Sequence, residues 1–160
     1  MQIAIFEGVS SVGKTTLLRH IKNKLAAPAS SKFTQLFYSE HMTERVFETA
    51  FHDGTLQSHD VADHLALIIN HLSSLQKAFH NSSFVGSPKP ICQTFIERFG
   101  ISHCLKTYMT RADMINVFAQ LSQIGVVPTL FHLTLSDAQL HQNITQSLTH
   151  RNQAWKDYIT

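Results

Sequence analysis

The chain has 160 residues, of which 43% are hydrophobic and 15% charged, the balance of one globular domain with a real core and a weakly charged surface. A net charge of +2, with the histidines neutral, is too small to point to a nucleic-acid partner, and the longest apolar run, residues 65–69, is far too short to cross a bilayer. Cys92 and Cys104 read as reduced thiols, and the N-terminus shows no basic segment followed by an apolar stretch of leader length, so a cytoplasmic protein is expected.

Residues 2–6 form an apolar run of buried-strand length. Directly after it, Gly8-Val9-Ser10-Ser11-Val12-Gly13-Lys14-Thr15 fits the phosphate-binding pattern G-x-x-x-x-G-K-S/T at every fixed position. The glycines let the backbone turn its N–H groups onto an anion. Lys14 carries a point charge to the β- and γ-phosphates, and the Thr15 hydroxyl is a ligand for Mg²⁺. Leu17, Leu18, Ile21 and Leu25 then recur at helical spacing, so a helix N-terminus faces the same anion. The candidate nucleotide-binding residues are Gly8, Ser10, Ser11, Val12, Gly13, Lys14, Thr15 and Thr16, and the expected ligands are ATP and Mg²⁺.

Further along, residues 26–32 end the first helix, and 33–38 read as a second strand, followed by Ser39-Glu40-His41. The polar stretch 42–60 holds one short helix at about 45–51 and an Asp53-Gly54 turn. A long helix begins at Asp60, with Val61, Leu65, Ile68, Leu72, Leu75 and Phe79 forming one stripe. After a Gly/Pro loop at 81–90, residues 91–96 read as a third strand that ends in Glu97-Arg98-Phe99. A single helix is expected over 103–124, stopped by Gly125, then a fourth strand over 129–135. Ser136 and Gln139 make a capping box for a helix to about Leu148. His150, Arg151 and Asn152 form a polar joint before a last helical turn or two at 153–159.

Alternating strands and helices imply an α/β domain spanning 1–160, a three-layer arrangement with a parallel sheet of about four to five strands and helices on both faces. Ligands of such sheets bind beyond the carboxyl ends of the strands. That rule selects the phosphate loop, Glu40 and Glu97-Arg98. Glu40 is the candidate base for an acceptor hydroxyl. Glu97 is a candidate Mg²⁺ holder, directly or through water. Arg98 is a candidate bidentate clamp for the acceptor or its phosphate, and Arg151 a candidate lid residue. Lys106 and Arg111 read as surface charge, and Cys92, His103 and Cys104 match no common zinc spacing.

The opening Ile5-Phe6-Glu7-Gly8-Val9-Ser10-Ser11-Val12-Gly13-Lys14-Thr15-Thr16 resembles that of the thymidylate kinase and deoxynucleoside kinase group. Glu97-Arg98-Phe99 with Ser102, the acidic Glu40 after the second strand, and the stretch from Leu130 to Gln139 resemble further motifs of that group, in the same order. The resemblance implies a P-loop kinase fold and phosphate transfer from ATP to a nucleoside or nucleoside monophosphate. It implies that Glu40 is the base or orients the acceptor, that Glu97 assists the metal, and that Arg98 binds the acceptor oxygen or its monophosphate. Members of this group often dimerise through helices, so a homodimer is a further implication. The chain departs from the group in carrying Arg151 alone where two or more lid arginines are usual, and in showing no strand after the lid helix before Thr160. A kinase of another small acceptor keeps every one of these features, and a nucleotide-binding regulator without turnover is the alternative from a different class. Gln76 is a candidate for lining an acceptor pocket, whereas helix packing accounts for Phe79 and Tyr108.

Overall fold

The computed structural model describes residues 1–25, 33–81 and 91–150. Arg151 and the helical turns expected at 153–159 therefore lie outside the described residues, as does the loop at 82–90. In chain order the elements are β1 (Gln2–Glu7), α1 (Lys14–Leu25), β2 (Phe33–Tyr38), α2 (Glu40–Thr43), a 3₁₀ turn (Arg45–Phe47), α3 (Glu48–His52), α4 (Ser58–Asn81), β3 (Ile91–Glu97), α5 (Ile101–Leu105), α6 (Arg111–Gln123), β4 (Thr129–His132) and α7 (Asp137–His150). The strands form one parallel sheet in the order β2-β3-β1-β4.

Because every pairing is parallel, the carboxyl ends of all the strands lie along one edge, with Ile5 beside Ile96 and Glu7 beside His132. β1 is central and buried on both sides, which is why it reads as an almost continuous apolar run. Alternation sorts its side chains between two layers. Ile3 and Ile5 join Ile96 and Tyr38 in a core closed by Val61, Leu65, Ile69 and Leu72 of α4 and by Val117 and Leu121 of α6. On the opposite face Phe37 stacks on Phe95 and Phe6 on Phe131, with Lys22 of α1 over the Phe37 ring. Each fully buried aliphatic of α4 contributes about 1.5–3 kcal/mol relative to exposure, so the stripe is what fixes α4 on the sheet.

Several expectations are corrected. The helix expected over 103–124 is two helices, α5 and α6, separated by a break in which Thr107 has a φ of 61° and the Tyr108 amide bonds back to the His103 carbonyl. Burial of Tyr108 and Met109, each 3% exposed, outweighs helical continuity there. The short helix expected at 45–51 is a 3₁₀ turn followed by α3, and a separate short helix, α2, precedes it. The fourth strand ends at His132 rather than Leu135, since its partner β1 turns into the phosphate loop after Glu7 and the Leu133 amide takes the last carbonyl, that of Glu7. At the edge strand β4, Leu130 and Phe131 are each 45% exposed. Gly125 does stop α6, in a left-handed conformation with φ 71°, and Ser136 caps α7 by accepting from the Gln139 amide at 3.4 Å. Among the described residues no helix is long and apolar enough to cross a membrane.

Candidate functional site

The phosphate loop leaves β1 at Gly8 and enters α1 at Lys14. Gly8 has a φ of 145°, and a Cβ there would lie 2.6 Å from the Leu133 carbonyl oxygen, so both the conformation and the closeness of β4 demand glycine. Ser11 and Gly13 also take positive φ, 63° and 98°. Ser10, Ser11, Gly13, Lys14, Thr15 and Thr16 line one cleft of about 380 Å³ together with Glu40, Arg45, Glu97 and Arg98, roofed by Asn143, Gln146 and Ser147 of α7. Of the sequence-selected loop residues, Gly8 and Val12 stand outside this lining. Gly8 shapes the turn, and Val12 is buried.

Lys14 is 3% exposed and folds over the loop, donating from Nζ to the carbonyls of Gly8 (2.8 Å) and Val9 (2.7 Å). Burial, with nearby Arg98 acting in the same direction, pushes its ammonium down to about 8. At the foot of the loop, Thr15 Oγ1 donates to Glu97 Oε1 at 2.5 Å, and the Glu40 amide reaches Glu97 Oε2 at 3.3 Å. Thr43 Oγ1 fixes the Glu97 backbone by donating to its carbonyl at 2.5 Å. Thr15 and Glu97 present hard oxygen donors side by side, the donor set that suits Mg²⁺. Among the described residues there is no group of three or more His, Cys, Asp or Glu able to hold a metal by themselves. A cation here would therefore depend on phosphate oxygens and water for its remaining ligands.

Glu40 opens α2 just past the end of β2, but it is not a solvated loop glutamate. Arg45 Nε lies 3.1 Å from one carboxylate oxygen and Arg98 Nε 3.2 Å from the other, the second contact an ion pair without hydrogen-bond alignment. Arg98 differs most from its sequence reading. It follows β3 with a φ of 57°, and only 2% of it is exposed. Nη1 donates to both oxygens of Glu44 at 2.6 Å, and Nη2 donates to Ser10 Oγ at 3.2 Å. The fork expected to grip an acceptor is thus occupied by the protein's own groups.

Glu44 was not selected from the sequence, although it is fully buried and central to the cluster. Lys106, read there as surface charge, places Nζ 2.5 Å from Glu44 Oε1. Burial alone would raise the Glu44 carboxyl, but Arg98 and Lys106 outweigh it and hold the group below its ordinary value. Burial likewise works against the Arg98 charge, and the Glu44 and Glu40 carboxylates overcome it, raising Arg98 above the usual arginine value. Arg45 is the other omission. It flanks Glu40, and its side chain, 24% exposed, opens into the cleft. Its signal in the sequence was position alone, a lone cation five residues past the strand-end carboxylate.

A second, smaller cleft of about 310 Å³ adjoins the first through Ser10 and is lined by Val9, Phe51, Lys106, Tyr108, Leu140 and Ile144. Tyr108 and Phe51 form one wall, their rings 4.6 Å apart. Burial, followed by Glu44 and Glu48, pushes the Tyr108 hydroxyl up to about 12, so it stays a neutral donor. Gln76 is not part of either cleft and lines a separate depression with Lys77 and Gln123.

No family model matches the chain, and no curated protein sequence matches it. Among solved structures it is similar to a deoxyadenosine kinase from M. mycoides with the products dCMP and a flexible dCDP bound, at 15% identity and a TM-score of 0.42, over 98% of this chain and 78% of that one. A likeness at that level carries no argument about chemistry, which rests on the chain's own residues.

Proposed function

We propose that this chain is an ATP-dependent phosphotransferase that uses Mg²⁺ to move the γ-phosphate to the hydroxyl or phosphate of a small acceptor, a nucleoside or nucleoside monophosphate. The observation that carries the reading is the 2.5 Å pairing of Thr15 with Glu97, in the same cleft as the loop amides, Lys14 and Glu40. A phosphoryl transfer site needs a phosphate cradle, a cation site and a base within one cleft, and these residues are suited to each part.

In this mechanism the loop N–H groups hold the β- and γ-phosphates, and Lys14 exchanges its Gly8 and Val9 carbonyls for phosphate oxygens. Thr15 and Glu97 would hold the cation, which supplies Lewis-acid neutralisation of phosphate charge when bound. Glu40 accepts the proton of the acceptor as its oxygen bonds to the γ-phosphorus, while the bond from that phosphorus to the β–γ bridging oxygen breaks and ADP leaves with the electron pair. Arg45, the more exposed of Glu40's two partners, moves from Glu40 to the transferring phosphate and frees Oε1, while Arg98 keeps Oε2.

The test is ADP formation with Mg²⁺ across a panel of nucleosides, nucleoside monophosphates and non-nucleotide hydroxyl acceptors, against the rate without acceptor. Acceptor-dependent turnover that falls about 10²–10⁴-fold in Glu40→Gln with ATP affinity kept supports the reading. ATP binding with no stimulation by any acceptor overturns it. That result would favour a regulatory nucleotide binder, the second reading, which the filled coordination of Arg98 by Glu44 and Ser10 recommends.

A further inference from the structure

We infer that Glu7, the last residue of β1, is the positioning residue that sets Arg98 and the Glu97 segment against the phosphate loop; the inference rests on the phosphotransfer reading for its catalytic consequence. Glu7 is fully buried, yet among the described residues no cation pairs with its carboxylate. Instead Oε1 accepts from the amides of Phe99 (3.0 Å), Gly100 (2.9 Å) and Ile101 (3.1 Å), while Oε2 accepts from the Ser102 amide (3.1 Å) and the Ser102 hydroxyl. Four successive amides are thereby pulled onto one side chain.

The chain that these amides belong to begins at Arg98, whose own amide bonds to the Phe6 carbonyl at 3.0 Å and whose φ of 57° is one that a bulky residue rarely adopts. A strained residue persists only where its surroundings fix it on both sides. On one side β3 pairs with β1 as far as Glu97. On the other, the Glu7 carboxylate holds the next residues. Gly8, adjacent to Glu7, begins the phosphate loop, and the Ser102 hydroxyl also comes within 3.5 Å of its carbonyl. Glu7 therefore ties the start of the loop and the segment after β3 to one point, so that Arg98 reaches back to Ser10, Glu40 and Glu44 at the observed distances. Glutamine at this position keeps the size of the side chain but turns one of its ends into a donor. That end must face either the three amides at 99–101 or the Ser102 amide, and in either orientation hydrogen bonds are lost.

The test is a double-mutant cycle in the full chain with Glu7→Gln, Arg98→Ala and both. Glu7→Gln is expected to lower kcat on the order of a hundredfold, as for a reacting group misplaced by about 1 Å, with ATP affinity falling far less because Lys14 and Thr15 are untouched. In the Arg98→Ala background Glu7→Gln is expected to add nothing further. Multiplying effects, or loss of ATP affinity in step with kcat, would overturn the inference. Ser102→Ala, which removes the hydroxyl bond to Oε2, is expected to shift kcat in the same direction by less, and it serves if Glu7→Gln does not fold. Should the wild type show no acceptor-dependent turnover, the phosphotransfer reading fails. The positioning claim is then judged by a crystal structure of Glu7→Gln: loss of the 2.6 Å contacts between Arg98 and Glu44 upholds it, and their retention overturns it.

Discussion

Glu44→Gln should destabilise the protein more than any surface charge change. The substitution keeps the shape of the side chain and removes only its charge. In the folded chain Glu44 is fully buried and takes the Arg98 guanidinium, itself 2% exposed, on both oxygens. Breaking a buried ion pair costs about 3–5 kcal/mol when the remaining charge is left without a partner. Here Arg98 retains Glu40 at 3.2 Å, and Lys106, with 23% of its side chain exposed, can turn its ammonium into water. The loss should therefore sit at or just below the low end of that range, about 2–3 kcal/mol. For a chain of this length that corresponds to a Tm lower by about 5–10 °C. Lys106→Met, which removes the partly solvated arm, should cost no more than about 1 kcal/mol. The assay is urea and thermal denaturation of wild type and both variants at pH 7, repeated toward acid. Because Glu44 titrates below its ordinary 4.5 in the fold, its contribution is complete above pH 4.5 and is lost as the pH falls through the lower folded value. The gap between wild type and Glu44→Gln should accordingly be constant above that pH and close below it. A gap at pH 7 within about 0.5 kcal/mol, the size of an ordinary surface change, would refute the buried pairing.

Lys14, pushed down to about 8, should give ATP affinity that is flat below pH 8 and weakens above it by up to about tenfold per pH unit, read by nucleotide titration. The sign for folding is the reverse. The unfolded lysine holds its proton up to about 10.5, so stability should rise with pH between 8 and 10.5 in wild type and not in Lys14→Met; a matching profile in the variant would sink the assignment. Gly8→Ala meets both a φ of 145° and the Leu133 carbonyl at 2.6 Å, and should lower the denaturation midpoint further than Gly125→Ala, whose Cβ enters open space at a cost of about 1–2 kcal/mol; equal midpoints would contradict the close approach. Glu97→Gln should raise the Mg²⁺ concentration needed for half-maximal turnover by about 10–100-fold, and an unchanged requirement would remove Glu97 from the cation site.

Where the fold was legible, the signal was local. β1, the loop and α1 follow one another as run, motif and stripe, and the α4 stripe predicts the buried Val61, Leu65, Ile68 and Leu72. Where it was not, a periodic pattern continued across a boundary set elsewhere. Leu105, Tyr108 and Met109 keep helical phase through the break between α5 and α6, although Thr110, which accepts from the Asp113 amide at 3.1 Å, marks the true start of α6 with a Thr-x-x-Asp cap. Leu133 and Leu135 keep strand alternation beyond His132, and only the turning away of β1 ends the pairing.

The site divides in the same way. Glu40, Glu97 and Arg98 were legible because the ends of parallel strands converge by topology, so position after a strand stands in for position in space. Glu44 and Lys106 were not, since they lie 62 residues apart and each looks like a solvated charge, one in a polar stretch and one on the polar side of a helix, until the fold joins them. Their pairing alters what the legible residues are able to do. With Glu40, Glu44 and Glu97 set against Lys14, Arg45, Arg98 and Lys106, much of the positive charge near the loop is already engaged by carboxylates. A triphosphate entering this cleft meets loop amides and Lys14, but also Glu40 and Glu97. On the proposed reading that makes the divalent cation a condition of tight binding rather than only of turnover: it turns Glu97 from a repulsive neighbour of the phosphates into a shared ligand. ATP should then bind far more weakly in the presence of a chelator, and Glu97→Gln should lessen that difference. Equal ATP affinity with and without Mg²⁺ would show that the loop and Lys14 hold the phosphates unaided.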